Sequence, residues 1–565
     1  MRSSRGCWLA LLFAALVVSP SRAAESVLRA GSGPAVPRMG IEGLDPGARR
    51  TTPDAPKPEA PAPSKPAART RFRIAHIRFE TQSGLALAIP LDELEDISRN
   101  YENRMVSLMD LRQLTVDVRK LYQSKGYLLA SAAIPPQRLK AGGDVKVKIT
   151  QGRYGRLKIE GNKYYSEEFI ARFFEPAMRD GFVKDRSLQR SLLVLNEISD
   201  LSVRSLFVAG AKPGTSDVVL RAHDRRPFHY GIDYNNYGNP LVGRNRGGLA
   251  LWLGSLFQFG DEMTLRYTVP FPSTSDPLYQ AGYMMPVGDR GDRLSYSFAS
   301  AATSVGGDLA ILDIRGDAKI HAISWAHPLV RSLHLTTNLS TSVVIKSVRN
   351  FVVNNNLVSK DELRLLTAGY DSNSVGESSR TLTSVLYTQG LGTILHGNRT
   401  GDPLSSRVGS GNEFVKLNTE VFHIIELAKG KYLLGRFSGQ LSSNPMTVSE
   451  QFALGGPDSV RGYIQSEFLS DDGYSASVEY RQLVFSSKDR FANVQVAAFA
   501  DHGDGSLQLP QVGERASRSL TGVGVGIRGS FGRATSLRLD LGFPLADQNQ
   551  LQKNRVLYAQ MVSRW

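Results

Sequence analysis

An arginine, an aspartate and the glycines around them are the residues of this chain best placed to act together. Arg461 lies in Leu454-Gly455-Gly456-Pro457-Asp458-Ser459-Val460-Arg461-Gly462-Tyr463, inside the longest interval between strand-like segments of the C-terminal part. Asp501 lies in Phe499-Ala500-Asp501-His502-Gly503, in the second strand-like segment after that interval. There Gln495, Ala497, Phe499 and Asp501 share one parity, and Val494, Val496 and Ala498 share the other. The carboxylate thus points to the more polar side of its segment. An enclosed arginine needs such a partner, because a buried charge left unpaired costs on the order of 3–5 kcal/mol. A planar guanidinium and a carboxylate join through two parallel hydrogen bonds, which pins a loop without a covalent tie. Gly462 allows close backbone approach or a positive φ, and Tyr463 adds a packing face and a hydroxyl. This chemistry anchors and breaks no bond. A solvated turn with an ordinary arginine is the plainer alternative.

Other patterns lack the context their chemistry needs. Gly524-Val525-Gly526-Ile527-Arg528-Gly529 has the spacing of a dinucleotide-binding loop. It lies inside an alternating segment and leads into a strand, so no helix N-terminus is available to cradle a phosphate. Strand glycines facing a crowded interior are the better account. The nine histidines include no HExxH and no i,i+4 pair, and His321 and His327 are expected as strand residues. No nucleophile elbow, hydrolytic triad or Walker loop is present, so neither catalysis nor a cofactor or metal is expected. Asp471-Asp472 could bind a cation, but water is the expected surrounding.

Composition narrows the class. The chain has 565 residues, 41% hydrophobic and 21% charged, with 53 glycines. Beyond the first 20 residues no apolar run reaches the roughly 18 residues of a membrane helix, which excludes a helical bundle. The formal charge is +15, but the 68 basic residues are spread along the chain, so no nucleic-acid partner is expected. The one cysteine, Cys7, excludes a disulfide scaffold. An outer-membrane β-barrel remains open, because alternating lipid-facing and lumen-facing residues average to near-neutral hydropathy.

The N-terminus reads as an address. A basic Met1–Arg5, an apolar Trp8–Val18 and small residues at Ser19–Ala23 predict a signal peptide over residues 1–23. Residues 24–71 form an arm and linker, with seven prolines between Pro46 and Pro66 favouring an extended spacer.

Two α/β units follow. In 72–151, Phe72–Phe79 is a strand. A helix opens at Ser107 with Asp110 as a capping-box partner and stripes Leu111, Leu114, Val118, Leu121 and Tyr122 along one face. Strands follow at 127–134 and 145–149. In 152–225 the order β-α-α-β-β recurs: a strand at 156–160, a helix from Ser166, a second helix striped by Leu188, Leu192, Leu195 and Ile198, and a hairpin around Lys212-Pro213-Gly214. The recurrence suggests a duplication.

From 226 to 565 helical patterns stop. Glu262–Val269 and Ser536–Phe543 alternate strictly, the second with its charges on one face. Sixteen such segments can be counted, starting near 228, 247, 261, 279, 293, 318, 333, 363, 381, 413, 431, 474, 493, 521, 535 and 556. That leaves roughly 21 residues for each strand and its connection, enough to span a bilayer at a tilt and turn. Tyr230, Trp252, Tyr279, Tyr296, Tyr432 and Trp565, near segment ends, fit interfacial girdles. The soluble alternative is a large β-sandwich or propeller.

With Val460-Arg461-Gly462-Tyr463 and Phe499-x-Asp501-x-Gly503 in place, the chain resembles the TpsB transporters of two-partner secretion, which export haemolysins and filamentous haemagglutinin. The resemblance implies a membrane all-β barrel of 16 antiparallel strands with two N-terminal α/β POTRA-like domains. It implies that Val460, Arg461, Gly462 and Tyr463 form the tip of a sixth extracellular loop folded back into the barrel. Phe499, Asp501 and Gly503 would be its partner motif on the wall. It also implies a Gram-negative outer-membrane location with the POTRA domains in the periplasm. The implied partners are a secreted TpsA-like exoprotein, outer-membrane lipid, periplasmic chaperones and the barrel assembly machinery. An assembly factor that inserts other barrels stays open, as does a surface lectin-like β-protein. Two departures stand out: Ser26–Arg50 lacks the spacing of the plug helix common in the family, and the chain ends in Trp565 rather than phenylalanine.

Overall fold

The computed structural model describes residues 71–565 apart from 83, 85, 139–141, 272–274, 488–491, 533 and 546–553. The expected signal peptide, and the Ser26–Arg50 arm that lacks the spacing of a plug helix, lie outside the described residues. Two compact units are present, one ending at Arg226 and the other starting at Pro227.

The first unit contains two α/β sheets in succession. Strand β1 (Arg71–Thr81) is followed by α1 (Leu91–Ser98), β2 (Met105–Ser107), α2 (Leu108–Ser124), β3 (Ser131–Ala133) and β4 (Gly143–Thr150). The sheet order is β2-β1-β4-β3, with β1 parallel to β4. Helix α2 starts where its cap dictates. Ser107 accepts the Asp110 N–H while the Asp110 carboxylate accepts the Ser107 N–H at 2.7 Å, satisfying two orphan donors reciprocally. Its striped face, Leu111, Leu114, Val118 and Tyr122, is buried against Ile74, Val145 and Val147.

The second sheet repeats the logic with β5 (Arg153–Glu160), α3 (Glu167–Met178), α4 (Asp185–Leu195), β6 (Leu201–Ala209) and β7 (Thr215–Asp224), in the order β5-β7-β6. Ile198, expected on the second helix, falls just beyond its end. The turn entering α3 is built on Asp224, whose carboxylate accepts N–H groups from Lys163, Tyr164 and Tyr165. Burial pushes this carboxyl up, but the backbone donors outweigh it and hold its pKa below the usual carboxylate range.

The sixteen alternating segments are all strands, and they close. They are β8 (Phe228–Asn235), β9 (Asn245–Gly254), β10 (Glu262–Phe271), β11 (Leu278–Val287), β12 (Asp292–Ser304), β13 (Arg315–Arg331), β14 (Leu335–Val352) and β15 (Asn356–Val375). Then come β16 (Ser379–Gly390), β17 (Val415–Ala428) and β18 (Lys431–Ser442). After a two-stranded inset, β19 (Phe452–Leu454) with β20 (Phe468–Ser470), the wall resumes with β21 (Asp472–Ser487) and β22 (Ala492–Ser506). It ends with β23 (Ser517–Phe531), β24 (Thr535–Pro544) and β25 (Val556–Arg564). Every neighbour pair in this wall is antiparallel, and β25 pairs with β8, leaving no edge. An edge-free cylinder satisfies all its backbone groups internally, which a bilayer demands.

Parity sorts the side chains as a barrel requires. On β13, Ile323 and Trp325 are exposed on the outer face while Ala318, Ile320 and Ala322 are buried within. His321 and His327 lie on β13 as expected; the first meets the Tyr296 hydroxyl and the second the Asp292 carboxylate. At the closing seam Tyr230 and Trp565 exchange two backbone hydrogen bonds of 3.0 and 2.8 Å and stack their rings.

Candidate functional site

The connection from β18 to β21, residues 443–471, is the sixth at the end of the barrel opposite the start of β8. It turns inward. Leu454, Val460, Arg461 and Tyr463 are at most 3% exposed, and their partners are inward-facing residues of the wall. Gly462 has φ +101°, a region that disfavours side chains, and a Cβ built there would stand 2.8 Å from the Phe543 backbone. On the wall Gly522 leaves the Arg461 carbonyl its room, since any side chain at 522 would occupy that oxygen's place. Backbone rests on backbone here, and glycine on both sides makes that possible.

Arg461 meets Asp501 as the sequence suggests. Its Nε donates to Asp501 Oδ2 at 2.7 Å, its Nη2 to Oδ1 at 2.8 Å, and its own backbone N–H adds a third bond at 2.9 Å. The guanidinium lies 3.4 Å from the centroid of the Phe499 ring, so Phe499 supplies a cation–π face. Gly503 lies against Leu454 and Val460 of the loop, where a side chain would strike both. Tyr463 packs with Leu454, Val460 and Leu520 and donates its hydroxyl to the Thr521 carbonyl at 3.0 Å. The four tip residues and the three wall residues therefore form one assembly.

The assembly is larger than those seven residues. Arg461 Nη1 also pairs with Glu479 of β21, and its Nη2 donates to Ser477. Glu479 in turn holds Arg481 and Arg528; Asp540 of β24 holds Arg528 and Arg538 at 2.7 Å each. Cross-strand register explains the meeting: Glu479 lies opposite Phe499, Phe499 opposite Gly524, and Gly526 opposite Asp540. From the last strand, the buried Tyr558 hydroxyl accepts the Gly462 N–H at 3.1 Å and donates to the Tyr463 carbonyl. Buried ions in such number are tolerated only when each is paired. Gly524 and Gly526 of the GxGxxG pattern sit in this crowd, as strand glycines.

Asp471 corrects the expectation that Asp471-Asp472 sits in water. It is fully buried at the root of the loop, where Arg407 Nη1 donates to both its oxygens at 2.7 and 2.6 Å. It also accepts the Met446 and Gln508 N–H groups. Its partner Arg407 belongs to the preceding loop, 391–414, so nothing near Asp471 in the sequence signals the pairing. Among the described residues no group of histidine, cysteine and carboxylate side chains could hold a metal ion.

A closed sixteen-stranded antiparallel cylinder with a loop tip clasped inside defines a class of fold, the outer-membrane β-barrel. The family model described as haemolysin secretion/activation protein ShlB/FhaC/HecB matches residues 214–529, and a ShlB-type POTRA domain matches residues 72–152. The chain belongs to that haemolysin secretion/activation family. The "Heme/hemopexin transporter protein HuxB" of Haemophilus influenzae is 23% identical over 477 residues, spanning 80% of either chain. The "Outer membrane transporter CdiB" of Dickeya dadantii is 24% identical over 472 residues, spanning 82% of either. The solved structure of CdiB from Escherichia coli superposes with a TM-score of 0.73 at 18% identity, covering 91% of this chain and 94% of that one. The protein is thus a TpsB-type transporter of the outer membrane, with its POTRA domains in the periplasm.

Proposed function

We propose that this pore exports one specific large polypeptide, a secreted TpsA-like exoprotein, in two-partner secretion. On this reading residues 1–23 are removed as a signal peptide and 24–71 serve as a spacer. Residues 72–151 and 152–225 receive the client, and 226–565 conduct it. The small sheets support capture by strand addition: β2 and β3 are the edges of the first sheet and β5 and β6 of the second, and sheet edges carry unpaired N–H and C=O groups. The client passes extended and folds outside, and that folding, rather than nucleotide hydrolysis, drives it.

The observation that carries this reading is the way loop 443–471 occupies the lumen. It is held by hydrogen bonds, ion pairs and side-chain packing, with no covalent tie, contacts that release and re-form. Deleting this chain's gene, with plasmid complementation, provides the test. A large polypeptide encoded in the adjacent reading frame disappears from the medium and returns with the plasmid. Unchanged medium together with a general loss of outer-membrane barrels would contradict export and favour the assembly-factor alternative.

A further inference from the structure

The tip is not the only buried ionic contact of the inward loop. At its shoulder, before β19, Glu450 is 7% exposed and lies between two lysines of the wall that are each 5% exposed. Lys346 of β14 donates to Glu450 Oε1 at 2.8 Å and to the Ser449 carbonyl at 2.9 Å. Lys416 of β17 donates to Glu450 Oε2 at 2.6 Å, and Gln440 of β18 donates to the Glu450 carbonyl at 3.1 Å. The surroundings are dry: Val448 packs with Val348 and Ala318, and Met446 with Val344 and Leu363. A carboxylate with one ammonium on each oxygen, away from water, is held far more firmly than a surface pair.

The two contacts engage different walls. Arg461, Gly462 and Tyr463 bind β21, β22, β23 and β25, whereas Glu450 binds β14 and β17. The shoulder and the tip of the loop therefore have separate ionic contacts, on β14 and β17 for the one and on β21 and β22 for the other. Neither anchor shares a residue with the other. Loss of one leaves the hairpin held by the other and by the Asp471–Arg407 pair at its root.

We propose that Glu450, clamped by Lys346 and Lys416, is a second positioning residue of the inward loop, keeping the pore closed independently of Arg461. The inference rests on the reading of the barrel as an export pore, and goes beyond it by dividing closure between two locks. The test is the conductance of the purified full chain in planar lipid bilayers, with heat-modifiable gel migration as the check on folding. Glu450→Gln is expected to raise the open fraction about tenfold, the change that ~1.4 kcal/mol of lost anchorage gives, in a barrel that still shows heat-modifiable migration. It should raise it by the same factor in an Arg461→Ala background. Open fractions equal to the parent's would overturn the proposal, as would a factor that vanishes in that background. Should Glu450→Gln fail to fold, Lys416→Gln, which leaves Glu450 one ammonium, is expected to give a smaller rise, and no rise would again overturn it. Conductance needs no client. Absence of export from cells would thus contradict the export reading and leave the clamp intact, and unchanged conductance would do the reverse.

Discussion

Arg461→Ala leaves the barrel folded in the outer membrane and reduces client export to background. The substitution removes the fork on Asp501, the bond to Glu479 and the cation–π contact with Phe499. Breaking one side of a buried pair costs on the order of 3–5 kcal/mol, and the loss falls unevenly. Glu479 keeps Arg481 and Arg528, and Asp540 keeps Arg528 and Arg538, so of the wall carboxylates only Asp501 loses its cation, and it keeps the backbone N–H of residue 461. The barrel ladders are untouched. What is lost is the hold on the tip, and a tip free to wander cannot give the client a defined path. Arg461→Lys is expected to export little better, because an ammonium cannot reproduce the planar two-point bond. Gel migration before and after heating reads the barrel, and client protein in the medium reads export. Full export by a folded Arg461→Ala barrel would remove Arg461 from the mechanism.

Gly522→Val should be as damaging although it changes no charge. A side chain at 522 occupies the space of the Arg461 carbonyl, and β23 cannot retreat because it is paired on both edges. The tip must lift off even though Arg461 and Asp501 are both present. Gly435→Ala is the matched control, since a Cβ there meets nothing within 4 Å, and its export should equal the parent's. If steric and electrostatic release act on one event, the double variant Gly522→Val/Arg461→Ala is no worse than either single one, the non-additivity expected of residues in one contact network. Normal export by Gly522→Val would show that the tip does not rest on β23 in the working protein.

The strands were legible because a barrel writes its two faces into alternate residues, and the segments counted from the sequence are the sixteen of the wall. Arg461 and Asp501 were legible because each sits in a short pattern of distinctive residue types. Glu479, Arg528 and Asp540 were only half legible. Parity turns them inward, and Arg538 and Asp540 stood out as charges on one face. Their meeting, however, depends on the register of three strand pairs, which no local pattern encodes. Tyr558 gave no signal beyond being a strand tyrosine. Asp471 misled because polar residues at a strand's start look alike whether solvated or buried, and its arginine lies on another loop. The three-residue β2 was missed because so short a run has no period, and α1, eight residues long, was counted but not located.

The most direct test concerns the resting place of the loop tip. Cysteines replace Val460 of the tip and Leu520 of the wall, which belong to one buried cluster, and the one native cysteine is Cys7. Export is measured before and after mild oxidation of intact cells. The disulfide is expected to form in the resting pore, export to stop while it is closed, and a reductant to restore it. Failure of the bond to form, or undiminished export with it closed, would contradict a tip that rests on the wall and must leave it for the client to pass.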